Sequence, residues 1–284
     1  MIEWRYGDQL DWRLVLVGLS EDTSRYAEHG FTPLRMASSG LRFRDRYGMP
    51  FAPNPKPRLS ASSRACRAVI AARRQWPGSE WRVFRALQLA NFNTPLLFDD
   101  DELTRDALSD VPGVDADEII ALIDAPEVLA AYEQDKAQTR TAAGSPTELQ
   151  GKAGNSDRAV RYTAPSLLFE TADGRRLEAG GFQPVEAYDV VIANLDPTLE
   201  RQAPPEDPGV LLEYFDFGLT TQEVAALMTR GNDLPDRAAA ESALLALVSE
   251  GRATRLALGD DAVWVAGDRT GGGRLAAAAG TTTG

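Results

Sequence analysis

"RYTAPSLLFE", residues 161–170, is the stretch on which the fold turns. An apolar run, Ser166-Leu167-Leu168-Phe169, begins directly behind Ala164-Pro165, although proline removes a backbone donor from any ladder it enters. A proline at a strand's first residue sits outside the ladder and is tolerated there. The sharper reading is a cis Ala164–Pro165 bond beside a functional site, because a cis X-Pro bond is a retained feature. Downstream, "TADGRR" and "LEAGGF" make a hairpin with Asp173-Gly174 as the turn signal. "QPVEAYDVVIANL" then closes as a helix, with Pro184 tolerated in its first turn.

Upstream, "LDWRLVLVGL", Leu10 to Leu19, is short, branched-apolar and interrupted by glycine near its end, the pattern of a buried parallel strand. "RYGMPFAPNPKPRLSASS" places Pro50, Pro53, Pro55 and Pro57 close together and is expected to be extended surface. From there to about Leu149 the period is helical. "SSRACRAVIAARRQ" puts Cys66, Val69 and Ile70 on one face, and "SEWRVFRALQLANF" does the same with Trp81, Phe84, Leu87 and Phe92. Asp99, Asp100 and Asp101 open an acidic helix start and are expected to cap it rather than bind metal. Two further helices divide near Pro126.

"DPTLERQAPPEDPG" has a linker's composition. Beyond it, three helices and a hairpin across Gly259-Asp260-Asp261 have the layout of a winged helix. Glu206 to Val265 holds four Arg and no Lys against eleven acids, which argues against a DNA reader and for a protein-contacting module. "GDRTGGGRLAAAAGTTTG" is low-complexity and expected to be disordered.

The charge is uneven. Residues 1–90 carry 15 Lys and Arg against 8 Asp and Glu, whereas the remainder carries 15 against 34, for a net charge of -12 overall. Affinity for phosphate backbones rests on Lys and Arg, so nucleic acid is not expected as the main partner. The asymmetry leaves two readings: solvated surface, or a basic mouth for an anionic small molecule centred on Arg42, Arg44, Arg46, Lys56 and Arg58. No run has the length of a membrane span, and the amino terminus lacks a secretory layout, so a water-soluble, cytoplasmic protein is expected. One cysteine, Cys66, and one histidine, His29, cannot build a zinc site or an intramolecular disulfide. An all-carboxylate magnesium or calcium site stays open, but no EF-hand loop is present, and no cofactor is expected.

The order of these pieces resembles the thioredoxin-fold oxidoreductases of the DsbA kind, in particular their bacterial cytoplasmic relatives. The matching segments are "RYGMPF" (46–51), "ASSRACRAVIAAR" (61–73), "FDDDELTRDALSDVPGVDADEI" (98–119), "YTAPSLLF" (162–169) and "GGFQPVEAYDVVIANL" (180–195). Together they cover about residues 10–197. The resemblance implies an α/β, thioredoxin-like fold, 1–33 with 156–197, carrying a large inserted α-helical domain, 58–150. A linker, 198–207, a small winged-helix-like C-terminal domain, 208–266, and a tail, 267–284, follow.

The resemblance also implies thiol-disulfide exchange on a protein or low-molecular-weight thiol. Pro165 would be the cis-proline lining the substrate groove, and Thr163 and Ala164 would present backbone groups to it. Arg42, Arg44 and Arg46 would hold an anionic substrate. The strand and Cys-x-x-Cys helix that supply the nucleophile in that family are absent here, so the chain is expected to be a shortened version, inactive as given. Without that central strand, Leu10–Leu19 and Ser166–Phe169 each lose a partner. Cys66, on an apolar helix face, is expected to be a buried structural thiol. The alternative function is a non-catalytic adaptor binding protein through the acidic C-terminal module.

Overall fold

The computed structural model of the chain describes residues 1–267 except Pro53, Asp157 and Asn232. The tail expected to be disordered lies, from residue 268 on, outside the described residues. In chain order the elements are α1 (Ile2–Tyr6), α2 (Ser24–Glu28), α3 (Pro33–Tyr47), α4 (Ser63–Gln75), α5 (Glu80–Asn93), α6 (Asp101–Leu108), α7 (Ala116–Leu122), α8 (Pro126–Thr139) and α9 (Pro146–Leu149). After these come β1 (Gly154–Ser156), β2 (Ala159–Arg161), β3 (Ser166–Glu170), β4 (Arg176–Gly180) and α10 (Val185–Leu195). The carboxyl-terminal part adds α11 (Pro208–Tyr214), β5 (Leu219–Thr220), α12 (Thr221–Met228), α13 (Arg237–Ser249), β6 (Ala253–Leu258) and β7 (Asp261–Ala266). The chain is thus mixed α and β, rich in helix, with small sheets. Among the described residues no helix is long and apolar enough to cross a membrane.

The chain divides into two compact units, Met1–Leu19 with Ala130–Ala203, and Ser20–Leu129 with Pro204 onward. The expected inserted domain, 58–150, is therefore divided: its last part joins the first unit, because Thr147 of α9 bonds Glu178 of β4. In that first unit β3 and β4 pair antiparallel, Ser166 opposite Gly180 and Glu170 opposite Arg176. Helix α10 packs on the hairpin, and Phe169, Val185, Tyr188 and Ile192 close over Ile2 and Tyr6 of α1. The Tyr6 hydroxyl donates to Asp189, which also accepts from Arg201 Nε at 3.0 Å. Burial, with Asp189 beside it, pushes the Tyr6 phenol up to about 12. Pro184 proves to be the N-cap of α10 rather than part of its first turn.

The strand expected over Leu10–Leu19 is not formed. Residues 11–20 are irregular, and among the described residues no strand lies beside β3 on the side away from β4. A parallel strand needs a neighbour to take its backbone groups, and here side chains take them instead. Leu16 N–H donates to Asp135 at 3.0 Å, and the Arg140 guanidinium donates to the carbonyls of Val17 and Gly18.

In the second unit α4, α5, α6 and α7 pack together, with Val69, Ile70, Val83 and Ile119 at their buried centre. Of the three acids at the start of α6, only Asp100 caps, accepting from the amides of Glu102 and Leu103. Asp99 pairs with Arg58 at 2.7 Å and Asp101 with Arg64 at 2.8 Å, a role that needs a distant partner and has no local pattern. Helices α11, α12 and α13 surround a sheet ordered β5-β7-β6, whose Trp264 is fully buried and donates to Thr221. Leu89 of α5 joins Leu258, Val263 and Val265 in one apolar cluster. Helix α3 was not expected. Its signals are local: Thr32 accepts from Arg35 N–H as N-cap, Pro33 opens the first turn, and Gly48 ends it at φ 67°.

Candidate functional site

The Ala164–Pro165 bond is cis. Thr163 is half-buried, and Ala164 and Pro165 are exposed. Local bonds fix the loop from both sides. Ser166 Oγ donates to the Thr163 carbonyl and accepts from Gly181 N–H at 3.0 Å, while Thr163 Oγ1 donates to the Lys152 carbonyl at 2.7 Å. The two residues between these ties project outward at the head of β3.

Behind the loop sits a carboxylate that sequence reading passed over. Glu178 of β4 accepts from Thr147 N–H at 2.7 Å, Thr147 Oγ1 at 2.6 Å and Tyr162 OH at 2.7 Å. Burial pushes its carboxyl up, but these hydrogen bonds outweigh burial and hold it below the usual range. Burial, and then Glu178 itself, pushes the Tyr162 phenol up to about 12. No local pattern marks it: Glu178 stands opposite Leu168 on the hairpin face that also carries the exposed Glu170 and Arg176, and its partners lie elsewhere in the chain. The site can present backbone groups to an extended chain, but it offers no thiolate to attack a disulfide.

The arginines expected beside it belong to the second unit. Arg44 and Arg46, at the carboxyl end of α3, line a cleft of about 560 Å³ with Tyr47, Gln222 and Arg237. Arg44 pairs with Asp45 at 3.0 Å and Asp260 at 3.4 Å, and Arg237 binds the Gly48 carbonyl and Asp261. Arg42 does not line the cleft; it reaches Ser39. Lys56 donates to Asn91 and to the Leu96 carbonyl, and burial brings its amine down to about 8, whereas Arg58 pairs with Asp99. Of the five cations of the expected basic mouth, Arg44 and Arg46 thus share one cleft, while Arg42, Lys56 and Arg58 are engaged with other partners.

Cys66 lies in α4, half-buried, behind an N-cap residue, Ser62, whose hydroxyl makes no capping bond. The flanking Arg64 and Arg67 are taken by Asp101 and Asp124. His29 is exposed. The sequence matches no known protein-family model and no curated protein.

Proposed function

We propose that the first unit is a thioredoxin-like scaffold of the DsbA-like type, whose Thr163-Ala164-Pro165 loop receives an extended thiol-bearing peptide or a small thiol. The observation that carries this reading is the exposed Ala164-Pro165 pair at the head of β3, followed by the hairpin partner and α10 in the order the resemblance requires. The single cysteine stands on a helix of the second unit, so the chain supplies a substrate-holding loop and no dithiol. Insulin reduction and mixed-disulfide trapping test this. No turnover is expected from the chain alone, and turnover is expected once a strand and a Cys-x-x-Cys helix are fused ahead of Met1. Strong turnover by the unmodified chain, or none by the fusion, overturns the reading.

A second reading, a protein-binding adaptor built on a winged-helix-like module, is favoured by one feature of the second unit. Ala86, Leu89, Val111, Phe217, Leu256 and Val263 wall a largely apolar groove of about 480 Å³. Partner capture that Leu256→Glu abolishes, without thiol dependence, supports it; capture unchanged by that variant counts against it. A DNA reader is disfavoured by Arg237, the arginine at the start of α13, which is engaged within the protein.

A further inference from the structure

The β3–β4 ladder fixes which way each backbone group of β3 points. Thr171 N–H donates to the Arg175 carbonyl at 3.0 Å, so that pair is hydrogen-bonded. In an antiparallel ladder hydrogen-bonded pairs alternate, so Phe169 and Leu167 also face β4. The N–H and C=O groups of Ser166, Leu168 and Glu170 therefore point away from β4, and among the described residues no strand takes them. Pro165 falls on the β4-facing parity, so its missing N–H costs this outer edge nothing.

A solvent-facing strand edge ordinarily carries a lysine, a proline or a bulge that prevents pairing. Within Ser-Leu-Leu-Phe-Glu there is none, and Leu168 is 52% exposed beside the open groups. The same five residues are self-complementary. With a twofold axis at Leu168, antiparallel pairing sets Leu168 against Leu168 of the second copy, Leu167 against its Phe169 and Glu170 against its Ser166. No like charges meet, and Glu170 is already balanced by Arg176 at 2.8 Å.

We infer that the outer edge of β3 is a homodimer interface, where two copies of this chain join β3 to β3 and form a four-stranded sheet ordered β4-β3-β3-β4. The interface uses only the backbone of Ser166 to Glu170 and does not rest on the thiol reading. A five-residue edge buries little area, which places the dimer among weak, concentration-dependent assemblies.

Sedimentation of the full chain from micromolar to millimolar concentration tests this, together with hydrogen exchange read at the Leu168 and Glu170 amides. The expected result is a monomer–dimer equilibrium in which both amides gain protection with concentration while those of Leu167 and Phe169 stay protected throughout. Leu168→Lys sets two ammonium groups face to face at an already exposed position and is expected to raise the dissociation constant roughly tenfold or more with an unchanged circular-dichroism melt. A wild-type chain that stays monomeric overturns the inference. So does a dimer that Leu168→Lys leaves intact, or one in which the two amides exchange at a rate independent of concentration.

Discussion

At the scale of single residues, Glu178 shows how a charged group can be placed by neutral partners. Three donors converge on its carboxylate, two from Thr147 and one from Tyr162, and no cation is required. Hydrogen bonds to a charged acceptor are worth more than neutral ones, and removing the acceptor strands the donors. Glu178→Ala is therefore expected to destabilise the first unit by about 2–3 kcal/mol in urea unfolding, and Tyr162→Phe by about 1 kcal/mol. A loss below a few tenths of a kcal/mol for Glu178→Ala would show that the network is solvated and does not hold α9 to β4. Pro165 was legible in the sequence because proline before an apolar run is a local anomaly. Glu178 was not, because its meaning depends on Thr147 and Tyr162, distant in sequence.

At the scale of elements, local punctuation decided what could be read. Helices α4 to α7 carry the apolar period along one face, α6 and α7 open on aspartate caps, and the β3–β4 hairpin has Gly174 at its turn. The missed α3 had its Thr32-Pro33 start and Gly48 stop, and of its residues only Arg46 and Tyr47 fell in the segment expected to be extended. Residues 11–20 failed for the opposite reason: their composition suits a strand, yet composition cannot supply the neighbour that makes one. The β6–β7 hairpin offers a test of local geometry. Gly259 has φ +57°, and a Cβ there would lie 2.0 Å from Asn93 Oδ1 and 3.0 Å from the Phe51 carbonyl carbon. Gly259→Ala is expected to cost about 2 kcal/mol or more through backbone strain and collision together. A melting temperature equal to that of wild type would show that the turn relaxes freely.

At the scale of the whole molecule, both units depend on carboxylates held ionised. In the first unit burial raises Asp189, but hydrogen bonds from Tyr6 and Arg201 outweigh it, as Thr147 and Tyr162 do for Glu178. In the second, Arg252 lowers Asp207, while burial raises Glu223 and is outweighed by Arg85 and Thr220. Each has a folded value below its unfolded one, so the stabilisation is complete above the ordinary carboxylate range and is lost as pH falls through the folded values. Thermal unfolding is thus expected to weaken steadily in both units below about pH 4; a melting temperature flat from neutral to acid pH would contradict it. The division into units is where sequence and structure part. The sequence by itself determined the helical block, the hairpin behind Ala164-Pro165 and the three helices and hairpin of the carboxyl-terminal part, because period, caps and turn residues act over a few positions. Only the tertiary structure decided that residues 11–20 form no strand and that the arginines and the Pro165 loop belong to different units. Each of these depends on which distant group satisfies a backbone or a charge, and long-range pairing leaves no mark on local sequence.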